Sequence, residues 1–301
     1  MVTLDKIRIK APINCVSGNF VPYKQTSPFL LKVTNTVYWI FIEFTAKILL
    51  DDYPSLINQR NIRRCLEKVN EISHINIDID RVLREGVVTA CDFAKDVFVI
   101  EMEGLNGNLH NLKRVIPLCN KNNQQYPCSA FRNGSITINK AVNSRKSRYR
   151  LTIYDKALEI RMKRNQEFRN NLINEQALLD NFENKVRFEL NAYSSVQIQR
   201  WLNVNDTLIP TVLNSEENPI KNALNEVFNP VNISEERVSQ RDQDRIALLK
   251  GYNWDMVAVE ANVREHDPRN WTRGIIPYRE LCMRYSPYLT NINQIDIADW
   301  V

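Results

Sequence analysis

Apolar and polar residues alternate with period two at several places in the first two hundred residues, the spacing of strands with one buried face. Residues 6–13 form the first such stretch. Residues 29–33 and 37–50 follow as two further strands, with Thr34, Asn35 and Thr36 as the turn between them. The second is rich in Val, Tyr, Trp, Ile and Phe, which suit a packed, pleated surface. Ile62, Cys65, Leu66 and Val69 then recur at helical spacing and predict an amphipathic helix over 58–72. In residues 75–83, Ile75, Ile77 and Ile79 alternate with Asn76, Asp78 and Asp80, which predicts a strand. Gly86 marks its turn into a long strand over 87–100. A short helix over 108–118 stops near Pro117.

Residues 135–139 and 148–154 predict a hairpin joined by a basic loop. A charged helix from 155 to about 182, a strand over 185–191 and a helix over 194–202 complete this part. From about Ser215 strand patterns cease, and 220–227, 235–250, 254–264 and 278–285 predict short helices between Pro, Asn and Gly breaks. The fold class expected is α+β: an antiparallel sheet with helices on one face, followed by a helical C-terminal region. The division expected is a first domain over 1–210 and a helical domain or tail over 215–301.

Composition narrows the function. At 301 residues, 44% hydrophobic and 25% charged, the chain has the make-up of an ordinary globular protein. Its six cysteines have neither C-x-x-C nor zinc spacing, and are expected to be reduced structural thiols of a cytoplasmic protein. No signal peptide is expected, and the most apolar run, 37–44, is too short to cross a bilayer and contains Glu43. No G-x-x-x-x-G-K-[ST] or G-x-S-x-G occurs, and the seven glycines leave little material for a dinucleotide loop. The net charge of +5 is concentrated. Lys140, Arg145, Lys146, Arg148 and Arg150 crowd the hairpin loop, where Tyr149 can stack on an unpaired base. Such a block suits a phosphate backbone; the alternative is a charged hairpin tip with no particular ligand. If about six phosphates of a single strand were neutralised there, log affinity would fall with log salt at a slope near −4.

The candidate chemistry centres on residues 148–159, Arg-Tyr-Arg-Leu-Thr-Ile-Tyr-Asp-Lys-Ala-Leu-Glu. Tyr154 ends a strand, and Asp155 can cap the helix that follows. The free N–H groups and dipole of a helix start favour an anion there, and Lys156 lies two residues on. Tyr154 is then either a half-buried aromatic finishing a strand or a nucleophile for a phosphodiester. A phenol with a pKa of about 10 is ionised in roughly one molecule per thousand at neutral pH, a deficit of about 4 kcal/mol. A divalent ion, Lys156 and the helix start all have the sign to reduce it.

Candidate ligands for a hard cation, Mg²⁺ or Mn²⁺, are carboxylates. Asp92 and Asp96 share a face of the 87–100 strand, which is otherwise Val, Phe and Ile; the alternatives are exposure, or pairing with Lys95, Lys185 or Arg187. Glu189 repeats the theme in Val-Arg-Phe-Glu-Leu, and Glu159 lies about one helical turn beyond Tyr154. Asp78 and Asp80 are explained by a solvated strand face. His74, His110 and His266 are scattered, without His-x-His or H-E-x-x-H.

Taken together, residues 150–159, 186–190, Cys91-Asp92 and Asp5-Lys-Ile-Arg-Ile9 resemble the rolling-circle replication initiators of small plasmids and filamentous phages, the gene II/X-type nicking endonucleases. The resemblance covers roughly residues 2–202. It implies a divergent His-hydrophobe-His-type nuclease palm in which Tyr154 nicks single-stranded or supercoiled origin DNA, forms a 5′-phosphotyrosine and rejoins strands. It further implies Asp92 and Glu189 at a Mg²⁺ or Mn²⁺ site, Lys156 and Glu159 as active-site neighbours, a bacterial host and its helicase as a partner. The sequence departs from the wider superfamily in lacking paired metal-binding histidines. A mobilisation relaxase and a non-catalytic DNA-binding protein on the same scaffold are the alternatives.

Overall fold

Leu4–Pro12 (β1), Tyr23–Lys24 (β2), Lys32–Asn35 (β3), Trp39–Thr45 (β4), Val87–Phe98 (β5), Cys128–Ala130 (β6), Ile136–Asn139 (β7), Arg150–Asp155 (β8) and Lys185–Ala192 (β9) pair into one sheet in the order β2-β3-β4-β1-β5-β9-β8-β7-β6. Every pairing in it is antiparallel. This computed structural model describes residues 1–102, 111–122, 125–131, 133–139, 150–228, 231–232, 239–286 and 294–301. The fold is α+β.

The period-two alternation sorts the sheet into two chemically different faces. Ile7 and Ile9 of β1, Ile40 and Ile42 of β4, Leu151 and Ile153 of β8, and Val186, Phe188 and Leu190 of β9 are buried on one of them. The helices Ile79–Glu85, Ser195–Leu202 and Pro219–Val227 pack on the central strands, and the apolar core continues through them to Trp300. The other face carries Lys6, Arg8, Asp92, Glu189, Asn191 and Tyr154. Among the described residues it is open except at one end, where the 3-10 segment Ala46–Ser55 and the helices Lys156–Arg161 and Glu175–Phe182 close over it. Farther along the chain, Met256–His266 and Ile276–Tyr285 pack against Leu112–Cys119. Among the described residues no helix is long and apolar enough to cross a membrane.

Several expectations change. Helices are not confined to one face of the sheet, since Lys156–Arg161 and Glu175–Phe182 cover one end of the other, and Thr34 and Asn35, expected in a turn, end the strand Lys32–Asn35. Residues 75–83 are not a strand: after the two-residue strand Asn76–Ile77, Ile79–Glu85 is a helix. Asp78 caps it by accepting a hydrogen bond from the Arg81 N–H at 3.0 Å, and Arg81 pairs with Glu85 one turn on, so local polar bonds override the alternation. The strand expected over 37–50 stops at Thr45, and the chain turns into Ala46–Ser55, with Leu50 at φ 54°. The charged helix expected from 155 to 182 is broken into Lys156–Arg161, Gln166–Arg169 and Glu175–Phe182. The Arg169 guanidinium takes the carbonyls of Ile160 (2.6 Å) and Met162 (3.2 Å), and Asn174 caps the last piece through the Ala177 N–H. Strand pairing also recurs beyond Ser215, where Val231–Asn232 pairs with Gln294–Ile295.

Arg187 joins the covered end of the open face to the sheet. Its side chain has no solvent exposure. Nε and one Nη bind the two Asp96 oxygens at 2.6 and 2.7 Å, and the other Nη binds Asp5 at 2.6 Å and the Tyr53 hydroxyl at 2.9 Å. The rings of Tyr53 and Phe182 lie over the guanidinium, 5.2 and 5.7 Å away. One cation thus ties β1, β5, β9 and the Ala46–Ser55 segment together. Arg187→Ala leaves two carboxylates without their partner and is expected to cost about 3–5 kcal/mol in denaturant unfolding. A loss below about 1 kcal/mol would contradict this account.

Candidate active site

Tyr154 pairs across the sheet with Arg187, and Thr152 with Glu189, so the Tyr154 side chain stands between two residues of β9. Its hydroxyl donates to Glu189 Oε2 at 3.0 Å. Asn191 pairs with Asp92 of β5, and its amide Nδ2 donates to Asp92 Oδ1 at 2.7 Å and to Glu189 Oε1 at 3.3 Å. Tyr154, Glu189, Asn191 and Asp92 therefore form one hydrogen-bonded row across three neighbouring strands. They line an open cavity of about 880 Å³. Its far wall carries Lys47, Lys156, Glu159 and Arg164, and Arg150 lines it too.

The row is short of positive charge. Burial pushes the Asp92 carboxyl up to about 6, against the Asn191 hydrogen bond. Burial, with the charges of Asp5 and Asp92, pushes Glu189 up to about 7. Burial and the Glu189 charge hold the Tyr154 phenol well above its ordinary 10. Asp5 behaves oppositely: burial opposes its charge, but Arg187, Lys156 and the Tyr53 hydroxyl together keep its pKa low. Arg187 is thus committed to Asp5 and Asp96, while Asp92 and Glu189 have an amide and a phenol as their hydrogen-bond partners.

The structure separates the expected site residues. Asp92, Glu189 and Tyr154 come together. Asp96 does not join them: it is bidentate on Arg187 and lies outside the cavity lining. Glu159 lines the far wall but binds Lys156 Nζ at 2.7 Å, with Arg164 and the Asn165 amide at 3.1 and 3.0 Å. Burial opposes its charge, and Lys156 and Asn165 hold its pKa well below the usual carboxylate range. Lys156 is buried, its ammonium 4.9 Å from the Tyr53 ring centre and 5.6 Å from that of Tyr154. It holds the ring of Tyr154 and makes no hydrogen bond to its hydroxyl. The anion site expected at the helix start is also corrected: Asp155 takes the Leu158 N–H at 2.8 Å, and the helix has six residues. Arg150 is exposed beside the cavity, whereas Lys140, Arg145, Lys146, Arg148 and Tyr149 lie outside the described residues. His74 ends a helix at φ 56°, His266 meets the Asn262 carbonyl at 2.8 Å, and His110 lies outside the described residues.

Asn191, Lys47 and Tyr53 were not foreseen. Lys47 Nζ donates to Asn165 Oδ1 at 2.6 Å, and burial lowers its pKa despite the nearby Glu159. Its one visible signal is a lone lysine inside the run Phe-Thr-Ala-Lys-Ile-Leu-Leu. Asn191 has a comparable signal, a polar residue two positions beyond Glu189 on the same strand face.

A divalent cation is implied by the resemblance, and the residues present fit one. Asp92 and Glu189 are two carboxylates drawn to one amide, with ionised forms disfavoured by burial, by the charge of Asp5 and, for Glu189, by that of Asp92. Among the described residues no three His, Cys, Asp or Glu side chains are grouped to hold a metal ion. Two carboxylates are still a sufficient protein share for Mg²⁺, which keeps waters or substrate phosphates as its other ligands. No family model, curated protein or solved structure matches the chain, so the site's chemistry carries the functional argument.

Both acids have folded pKa values above their unfolded ones, so the folded chain prefers their protonated forms. The stability they lend is full below about pH 4 and disappears as pH rises through 6 and then 7. Unfolding free energy should drop by about 4 kcal/mol between pH 5 and 8, the larger share from Glu189. Glu189→Gln should remove most of that drop, and millimolar Mg²⁺ or Mn²⁺ should reverse it in the wild type only. A pH profile identical in wild type and Glu189→Gln would contradict the assignment.

Proposed function

We propose that the chain is a DNA-nicking and strand-joining enzyme of the rolling-circle initiator kind, with Tyr154 as nucleophile. The observation that carries this reading is the 3.0 Å hydrogen bond from the Tyr154 hydroxyl to a Glu189 carboxylate poised near neutral pH, inside a cavity with cations on its far wall. A base with a pKa of about 7 is matched to taking a proton at physiological pH.

In this mechanism Glu189 accepts the phenolic proton as the Tyr154 oxygen forms a bond to phosphorus. The bond to the 3′-oxygen of the preceding nucleotide breaks, and that oxygen receives the proton back from Glu189. A 5′-phosphotyrosine remains. Attack by an incoming 3′-hydroxyl runs the same steps in reverse and frees the phenol, so the strand is joined and no net hydrolysis occurs. Lys156 fixes the tyrosine ring, and Lys47 and Arg164 offset charge on the phosphate oxygens. A Mg²⁺ or Mn²⁺ ion held by Asp92 and Glu189 would lower the Glu189 pKa, and would in exchange supply positive charge that favours the phenolate and polarises the phosphate.

Labelled single-stranded and supercoiled element DNA with Mn²⁺ tests this. The wild type should yield a denaturation-resistant protein–DNA adduct, Tyr154→Phe none, and Glu189→Gln at least 100-fold less. Adduct formation surviving in Tyr154→Phe would overturn the assignment. The phenol's raised pKa favours a second reading, DNA binding without chemistry on the same face. Salt-sensitive retention of DNA with no adduct from the wild type would select it. A mobilisation relaxase would use the same chemistry on transfer-origin DNA.

A further inference from the structure

The open face continues past the cavity across β1, β4, β3 and β2. Cross-strand pairing sets Arg8 opposite Glu43, Lys10 opposite Phe41 and Pro12 opposite Trp39, then Lys32 opposite Glu43 and Lys24 opposite Lys32. Paired residues share a face, so the alternation that buries Ile7, Ile9, Ile40 and Ile42 on one side puts these residues together on the other. Among the described residues this flank carries Lys6, Arg8, Lys10, Lys24 and Lys32 against one carboxylate, Glu43, which Lys6 and Arg8 already neutralise. Two aromatic rings stand among the cations. Lys10 Nζ lies 3.9 Å from the Trp39 ring centre, and the Arg8 guanidinium carbon lies 5.3 Å from that of Phe41. Trp39 is 38% exposed and the Arg8 side chain 46%.

We propose that this flank is a platform for single-stranded DNA entering or leaving the cavity, with bases stacked on Trp39 and Phe41 and phosphates held by Arg8, Lys10 and Lys32. Charge selects the class of partner, because five cations against one neutralised carboxylate match a polyanion. The rings select the single strand, since the bases of a duplex are stacked on each other and cannot offer their faces. Pairing each ring with a cation suits a ligand that alternates aromatic base and phosphate. The surface is also continuous with the cavity, because Lys6, Arg8 and Glu43 line both. From β8 to β4 the face spans four strand intervals, about 19 Å, enough for several nucleotides.

The inference rests on the nucleic-acid reading for its partner class, and its test is a binding measurement that needs no cleavage. Fluorescein-labelled oligothymidylate and a duplex of equal length are titrated with the full chain in EDTA. The wild type should prefer the single strand. Trp39→Thr and Phe41→Thr, which keep a strand-forming residue at each site, should each weaken single-strand binding by about 5- to 150-fold. Neither should change the salt slope, and Trp39→Tyr should keep most of the affinity. Lys10→Thr and Lys32→Thr should each lower the slope by about 0.7. Unchanged affinity in the folded Trp39→Thr/Phe41→Thr protein, equal affinity for duplex, or no single-strand binding by the wild type would overturn the platform. An adduct at Tyr154 alongside unchanged affinity in the ring variants would sink the platform alone. Ring-dependent binding without any adduct would sink the nicking reading alone.

Discussion

The fully buried guanidinium of Arg187 is the interaction on which both the fold and the candidate site depend. A charge on the sheet face with no solvent exposure is tolerable only with complete pairing, and Asp96, Asp5 and Tyr53 provide it. Those partners come from β5, β1 and the Ala46–Ser55 segment. The same bonds that settle strand register therefore also close one end of the open face. They have an electrostatic consequence next door. Arg187 is committed to Asp5 and Asp96, and among the described residues the adjacent carboxylates Asp92 and Glu189 have no ion pair, so burial raises their pKa values.

That imbalance divides the open face by charge. At its centre lies an acid-rich row ending in the Tyr154 hydroxyl. Opposite it stands a wall whose cations are partly balanced by Glu159. Toward the β2 side the surface becomes cationic and aromatic. A substrate with a polyanionic backbone and flat bases matches the flank and the wall, and the proposed reaction would bring its phosphate beside the acid-rich row. The proposed nicking reaction would use all three regions, whereas binding alone would leave the acid-rich row without a task.

Much of this was legible in the sequence, and the reasons are local. β1 and β8 showed as alternating stretches because each buries one face, β5 and β9 showed as strands, and Tyr154, Asp92 and Glu189 converge because β8, β9 and β5 are neighbours. The alternation at Ile75, Ile77 and Ile79 misled because the cap at Asp78 and the Arg81–Glu85 pair decide that segment instead. Asp92 and Asp96 have the same spacing and surroundings in the sequence. Only register distinguishes them, setting Asp96 against Arg187 and Asp92 against Asn191. Lys47 and Tyr53 were hidden because a 3-10 segment, with Leu50 at positive φ, sets where they point.

The central claim is that Tyr154 becomes covalently joined to DNA, and the most direct measurement identifies the joined residue. Protein incubated with single-stranded element DNA and Mn²⁺ would be digested with nuclease and protease, and its peptides read by tandem mass spectrometry. The account predicts a nucleotide phosphate on Tyr154 in the peptide that also carries Asp155. A nucleotide mapped to any other residue, Tyr193 of the same cavity included, would contradict it.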